Sequence, residues 1–492
     1  MENKLRCVAF LVLAATANAA PTITLSKRIG PPTSEIRVSG SGFGPNVGVD
    51  IYFDTKDEAL VVTNNGGEFH NAKIHAPSGA HPGEHWVTAL ERNNDKGSQR
   101  PFLVQTDWRM YRFNPGHDGL NPYENVLDSS SVASLGLKWS SATGGPSDSS
   151  PAVVNGLVYF GSDDNNVYAL NASTGAKVWS FATGNPLVSS PAVIDGMVYI
   201  GSSDGSVYAL KARTGILLWS SPVGGVVGSS AAVVNGLVYI GSEDYSLYAL
   251  NANTGAKVWS FATDAQVSSS PAVANGLVYF GSVDGNVYAL NANTGTKVWS
   301  FTTGNQVDSS PAVADGLVYV GSLDHNVYAL NAGTGTKEWS FATSGRVTSD
   351  PAIANGMVYI GSLGHGNVYA LNAYTGAKVW SISLGPYVSS RPVVANGVVY
   401  VGSGDHSVYA LNAKTGAVLW SYVTGDTVST SPAVANGLVY VTSLDGNLYA
   451  FGLNLGDEKE QDMSSKRPDL SMLRPDFNLT VSRMDETASA PD

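Results

Sequence analysis

Asp350 and Arg391 stand where six other stretches of this 492-residue chain carry serine. The matching positions are Ser150, Ser190, Ser230, Ser270, Ser310 and Ser431, each followed by proline except before Ala231. Two residues upstream of these lie Asp148, Val188, Gly228, Ser268, Asp308, Thr348, Ser389 and Ser429. A carboxylate and a guanidinium at equivalent positions of neighbouring units can do one of two things. They can contact a polar ligand, with Asp148 and Asp308, at the mouth of a channel. Or they can compensate one another as an ion pair between units. The residues alone leave both readings open.

Other reactive residue types are set out less favourably. His81, Glu84 and His85 match the string of an inverted zinc-protease motif, which works only on a helix that brings both histidines to one face. Pro82 and Gly83 forbid that helix, and the residues after His85 read as strand. His325, His365 and His406 recur at one turn of three successive units, too far apart for zinc, which needs its ligands at about 2 Å. Cys7 is the one cysteine, so neither a disulfide nor a thiol nucleophile is available beyond the extreme N-terminus. No nucleophile–base pair, carboxylate dyad or metal-ligand spacing survives, which weighs against hydrolytic catalysis.

The elements that carry these residues announce themselves by repetition. Trp139, Trp179, Trp219, Trp259, Trp299, Trp339, Trp380 and Trp420 fall on one beat, with a single one-residue slip before Trp380. Between beats lie four short runs rich in β-branched and aromatic residues, separated by turn dipeptides. The first turn is Asn-Gly or Asp-Gly in every unit, as at Asn155-Gly156 and Asp315-Gly316. Such pairs accept positive φ at both positions and so form two-residue hairpins. Each unit is therefore a four-stranded antiparallel blade, and the spacing predicts an all-β, eight-bladed β-propeller. Residues 135–139 form a fourth strand with no first three before it, and residues 432–451 supply three strands and stop. Joining the two completes the last blade and leaves no unpaired edge. The eight tryptophans are assigned to structural docking between blades, and the Asp of the second turn (Asp164, Asp204 and their equivalents) to turn chemistry.

Ala169, Asn171, Thr174, Gly175, Lys177 and Trp179, with their counterparts in the other units, resemble the tryptophan-docking motif of pyrroloquinoline-quinone (PQQ)-like propeller repeats. That resemblance covers residues 108–452. It implies either of two roles. The family includes eight-bladed quinoprotein alcohol dehydrogenases, with PQQ on the axis beside calcium. It also includes non-catalytic members, such as the propeller lipoprotein of outer-membrane assembly, where the repeat builds a scaffold for protein contacts. The enzymes' vicinal disulfide, their cofactor-stacking tryptophan and their long insertions have no counterpart here. Calcium wants six to eight oxygens, and the inner strands offer few carboxylates.

The ends differ from the repeat. Residues 1–19, with Lys4, Arg6, an apolar run and Ala17-Asn18-Ala19, read as a secretory signal peptide. Residues 20–105 read as a small immunoglobulin-like β-sandwich, and Gly40, Gly42, Phe43 and Pro45 resemble the opening of IPT/TIG-type domains. Residues 106–134 are expected as a linker packing on the propeller, 135–452 as the propeller, and 453–492, charged and without periodic apolar residues, as a disordered tail. A net charge of −12 excludes the basic footprint that nucleic acid or anionic membranes require. The expectation is a monomeric, secreted, periplasmic or extracellular protein without a transmembrane segment. It would hold no cofactor and bind another protein or a surface polymer without catalysis. A PQQ- and calcium-dependent dehydrogenase and a carbohydrate- or matrix-binding surface are the alternatives.

Overall fold

A computed structural model describes residues 20–94, 96–454, 467–470 and 473, so the signal-peptide expectation lies outside the described residues. The chain divides into two compact units, Met1–Val104 with Gln461–Asp492, and Gln105–Glu460.

The first unit holds a three-stranded sheet (Thr22–Leu25, Glu35–Ser41, Phe69–His75) and a five-stranded one (Ile29–Gly30, Gly97–Val104, Gly83–Glu91, Gly48–Phe53, Lys56–Val62). Strand alternation sends Ile36, Val38, Ile51, Val87 and Phe102 into one shared core. His85, on Gly83–Glu91, is buried with one ring nitrogen 2.7 Å from Asp54 and the other 2.7 Å from the His81 carbonyl. Burial alone would lower its pKa, but Asp54 and that carbonyl outweigh burial and raise it. The pair therefore stabilises this unit fully below the ordinary histidine pKa of about 6.5, and the contribution fades as pH rises through the higher folded value. Hydrogen exchange at Val87–Leu90 in the full chain, corrected for intrinsic rates, should lose protection across that window, whereas Asp54→Asn should show a flat profile. Equal profiles would rule the linkage out.

Part of the segment whose composition suggests disorder is packed against this unit. Leu473 is buried with Tyr52 and Leu90, Gln99 donates to the Pro468 carbonyl at 2.9 Å, and the Arg467 guanidinium lies over Trp86. Residues without an apolar period are thus held by two leucines, a cation–π contact and hydrogen bonds to Gln99.

The second unit is a β-propeller. Eight sheets are present among its described residues, each with four antiparallel strands and one with a fifth, short parallel strand added; in seven of them the four strands run in sequence order from the inner to the outer strand. One runs Ala152–Val154, Leu157–Gly161, Asn166–Asn171, Lys177–Ala182, and the others repeat it. The first hairpin has positive φ at both central residues in every sheet, for example Asn155 at 50° and Gly156 at 76°. One sheet is shared between the two ends of the unit: Leu135–Ala142 pairs antiparallel with Asn447–Leu453, from Leu135↔Leu453 to Ala142↔Asn447 with a bulge between Leu137 and Trp139.

Each tryptophan bridges to the next sheet. Trp179 donates its indole N–H to the Ala212 carbonyl at 2.8 Å, and the same bond recurs at Trp139, Trp219, Trp259, Trp299, Trp339 and Trp380. Trp420 donates instead to Leu135, the first strand of the ring, at 3.0 Å. The indole rests on the glycine of the following Thr-Gly turn. A Cβ on Gly295 (φ +71°) would lie 2.7 Å from the ring of Trp259, whereas one on Gly276 (φ +77°) would meet nothing within 4 Å. Gly276→Ala should thus cost only the left-handed backbone penalty, about 1–2 kcal/mol. Gly295→Ala should cost clearly more, because the indole must also shift. Matching losses in thermal unfolding would show that the turn does not seat the ring.

Candidate functional site

The repeated serine forms a girdle around the propeller axis. Ser150 N–H donates to Ser190 Oγ at 2.9 Å, Ser190 N–H to Ser230 Oγ, Ser230 N–H to Ser270 Oγ, and Ser270 N–H to Ser310 Oγ. Ser431 N–H donates to Ser150 Oγ, so the chain of bonds crosses the seam between the two ends. Asp350 keeps the same role with a carboxylate: its Oδ1 accepts Ser310 N–H at 2.7 Å. Its second oxygen is then free for other work, and it accepts the Tyr111 hydroxyl and lies 3.6 Å from Arg391 Nε.

Tyr111 arrives from residues 106–134, which cross the inner strands in sequence. Backbone bonds join Trp108 to Val153, Arg109 to Val193, Pro115 to Val273, Gly116 to Val313, Asp118 to Ile353 and Gly119 to Val394, and the Asn121 side chain reaches Val434. Seven of the eight inner strands are engaged; at the remaining one, Met110 packs with Val233. Leu120–Asn121 adds a short parallel strand beside Val393–Ala395. Left-handed φ at Arg112, Phe113, His117 and Gly119 lets the segment bend from sheet to sheet. It thereby closes one end of the axis.

The closure is charged inside. Arg112 is fully buried and donates through Nε to the His117 carbonyl at 3.0 Å and through its other nitrogens to the Asp350 and Pro351 carbonyls. His117 is fully buried with both ring nitrogens unpartnered. Burial, reinforced by the Arg112 charge, pushes its pKa down to about 3, so the ring is neutral at physiological pH. Burial, and after it the Asp350 carboxylate, holds the Tyr111 phenol far above its ordinary range, so it keeps the proton it donates. For Arg391 burial acts downward, but Tyr111, Asp350 and Asp148 together raise it.

Above Tyr111 lies a cavity of about 240 Å³ lined by Asp148, Asp308, Arg391 and the hydroxyls of the girdle. Three of the four charged residues singled out from sequence thus meet in one place. Asp350 does not line it: its side chain is fully buried, committed to Tyr111, Ser310 and Arg391. It is the inter-sheet ion pair of the two readings, with Arg391 also facing the cavity. Asp148 accepts Ser429 Oγ at 2.6 Å. Asp308 has no hydrogen-bonding or ionic partner among the described residues, and burial raises its pKa. Tyr111, Arg112 and His117 escape a reading built on repeats, although tyrosine, arginine, histidine and aspartate lie close together in that linker.

The donors present do not suit a quinone with calcium. Two cavity carboxylates fall short of the oxygen set calcium takes, and among the described residues no cluster of three or more His, Cys, Asp or Glu could hold a metal ion. The repeated tryptophans are all spent between sheets. The histidines singled out from sequence are also dispersed: His325, His365 and His406 sit at left-handed turn positions, and His85 on a strand.

Sheets of this order, locked by docked tryptophans around a narrow polar axis, define a β-propeller of PQQ-like repeats. The family model described as outer membrane protein assembly factor BamB matches residues 132–225, 204–307, 283–363 and 364–488, and the chain belongs to that family. Among solved structures the chain is similar to BamB from Moraxella catarrhalis, with 24% identity and a TM-score of 0.58 over 65% of this chain and 99% of that one. It is also similar to a europium-containing methanol dehydrogenase, at 17% identity and a TM-score of 0.64 over 70% and 98% of the two chains. The quinohemoprotein alcohol dehydrogenase from Comamonas testosteroni shares 16% identity and a TM-score of 0.61 over 76% and 82%. At these identities the likeness is one of fold. No curated protein matches the sequence.

Proposed function

We propose that this chain is a non-catalytic propeller scaffold that binds another protein at or outside the cell envelope. The observation that carries this reading is the state of the axial groups. Tyr111, Asp350 and Arg391 are committed to one another and to backbone, and among the described residues the cavity is lined by no histidine, cysteine or lysine that could act as base or nucleophile. The family's description as an assembly factor points to protein contacts rather than turnover. Export rests on the apolar, small-residue leader read from the first nineteen residues. Among the described residues no helix is long and apolar enough to cross a membrane.

The quinone-dehydrogenase reading draws on shared fold alone, and the donor set argues against it. Photo-crosslinkers placed at the half-exposed outer-strand residues Val258 and Val298, in the native cell, should trap discrete protein adducts. Incubation with PQQ and calcium or europium should leave no quinone absorbance after desalting and no dye-linked alcohol oxidation. Retained absorbance with turnover, or crosslinking no richer than that of a random surface site, would overturn the scaffold.

A further inference from the structure

The girdle hydroxyls have capacity to spare. Ser190, Ser230, Ser270 and Ser310 each accept one backbone N–H and are almost wholly buried, yet none donates its own proton to any described residue. All four line the axial cavity. A serine hydroxyl offers one donor as well as its lone pairs, so this arc presents four unused O–H donors, with the Arg391 guanidinium in the same cavity. Asp148 and Asp308 belong to the next layer, two residues upstream, on the side away from the closing linker. The hydroxyl donors therefore lie nearest the closing linker and the carboxylates one layer further out, with Arg391 reaching from the first layer to the second, its Nη1 3.4 Å from the Ser429 carbonyl.

We propose that the axial cavity binds a free α-amino acid, its carboxylate received by the serine hydroxyls and Arg391 and its ammonium by Asp308 and Asp148. The alternatives fit worse for physical reasons. A simple anion would face two carboxylates. A bare cation would leave four hydroxyl protons without acceptors and would sit beside the Arg391 guanidinium. A neutral sugar would leave Asp308 desolvated without countercharge. A volume of about 240 Å³ is below the range of about 300–1,000 Å³ usual for drug-sized ligands, and it favours a molecule of few atoms. Nothing in this site depends on the protein-scaffold reading.

Calorimetric titration of the full chain with each of the twenty common amino acids, glucose and calcium chloride tests it. At least one amino acid should bind saturably at one site. Its methyl ester and its N-acetyl derivative should each bind at least about tenfold more weakly, since each loses one charge-assisted partner. Asp308→Asn, with unchanged thermal unfolding, should weaken the free amino acid by a similar factor and leave the N-acetyl derivative unaffected. Because the derivatives are compared on the unaltered protein, a misfolded variant cannot hide the answer. Binding by no amino acid, equal binding of the blocked derivatives, or binding of glucose or calcium alone would refute the assignment.

Discussion

Asp350→Ser should cost about 3–5 kcal/mol of stability, the loss expected when a fully buried carboxylate is taken from beside Arg391 and the fully buried Arg112. Serine is what six other sheets carry at this position, so the acceptor for Ser310 N–H is restored and the girdle itself survives. What is lost lies underneath. The Tyr111 hydroxyl is left without its acceptor, and Arg391 and the buried Arg112 lose their nearest carboxylate. Arg391→Ser in the same chain should recover part of the loss, because one of the two stranded cations is then gone. Urea unfolding of the four chains in the double-mutant cycle gives the coupling. Simple additivity would mean that the pair contributes nothing as a pair.

Trp299→Ala should be nearly as costly, about 3–5 kcal/mol, the usual range for emptying an aromatic core site. Trp299→Phe should cost less, about 1–2 kcal/mol for the smaller ring, although it also removes the indole N–H. The reason is in the acceptor: the Ala332 carbonyl receives Trp299 Nε1 at 2.9 Å and the Tyr279 hydroxyl at 3.1 Å, so it stays satisfied. Thermal unfolding of the two variants separates packing from hydrogen bonding. If phenylalanine proved as harmful as alanine, the bond and not the ring would be the main tie between sheets.

The repeated part of this protein is legible because local chemistry and global fold agree in every copy. Asn-Gly and Asp-Gly turns, a β-branched strand on each side, and a tryptophan at one offset specify a sheet, and orphan strands at residues 135–139 and 432–451 specify how the set closes. Asp350 and Arg391 stand out for the same reason, being departures from a pattern. Their destination does not follow from the pattern. Whether a charge faces the cavity or lies beneath it depends on Tyr111, which comes from a segment with no period. Arg112 and His117 belong to that segment too, and their left-handed backbone lets them turn inward where no strand or helix signal could say so. The apolar residues of the C-terminal segment that pack against the first unit, Leu470 and Leu473, do not stand out by period against the charge around them.

The shared sheet sets an order on synthesis. Leu135 emerges early, and its partner Leu453 only after all the intervening repeats have been made. Until then Leu135–Ala142 and the last completed sheet both expose unpaired backbone, the kind of surface that templates association between chains. A circular permutant that moves residues 135–142 behind residue 453 would let the ring finish from neighbouring segments, so the natural order of the gene lengthens the exposure of a nascent chain.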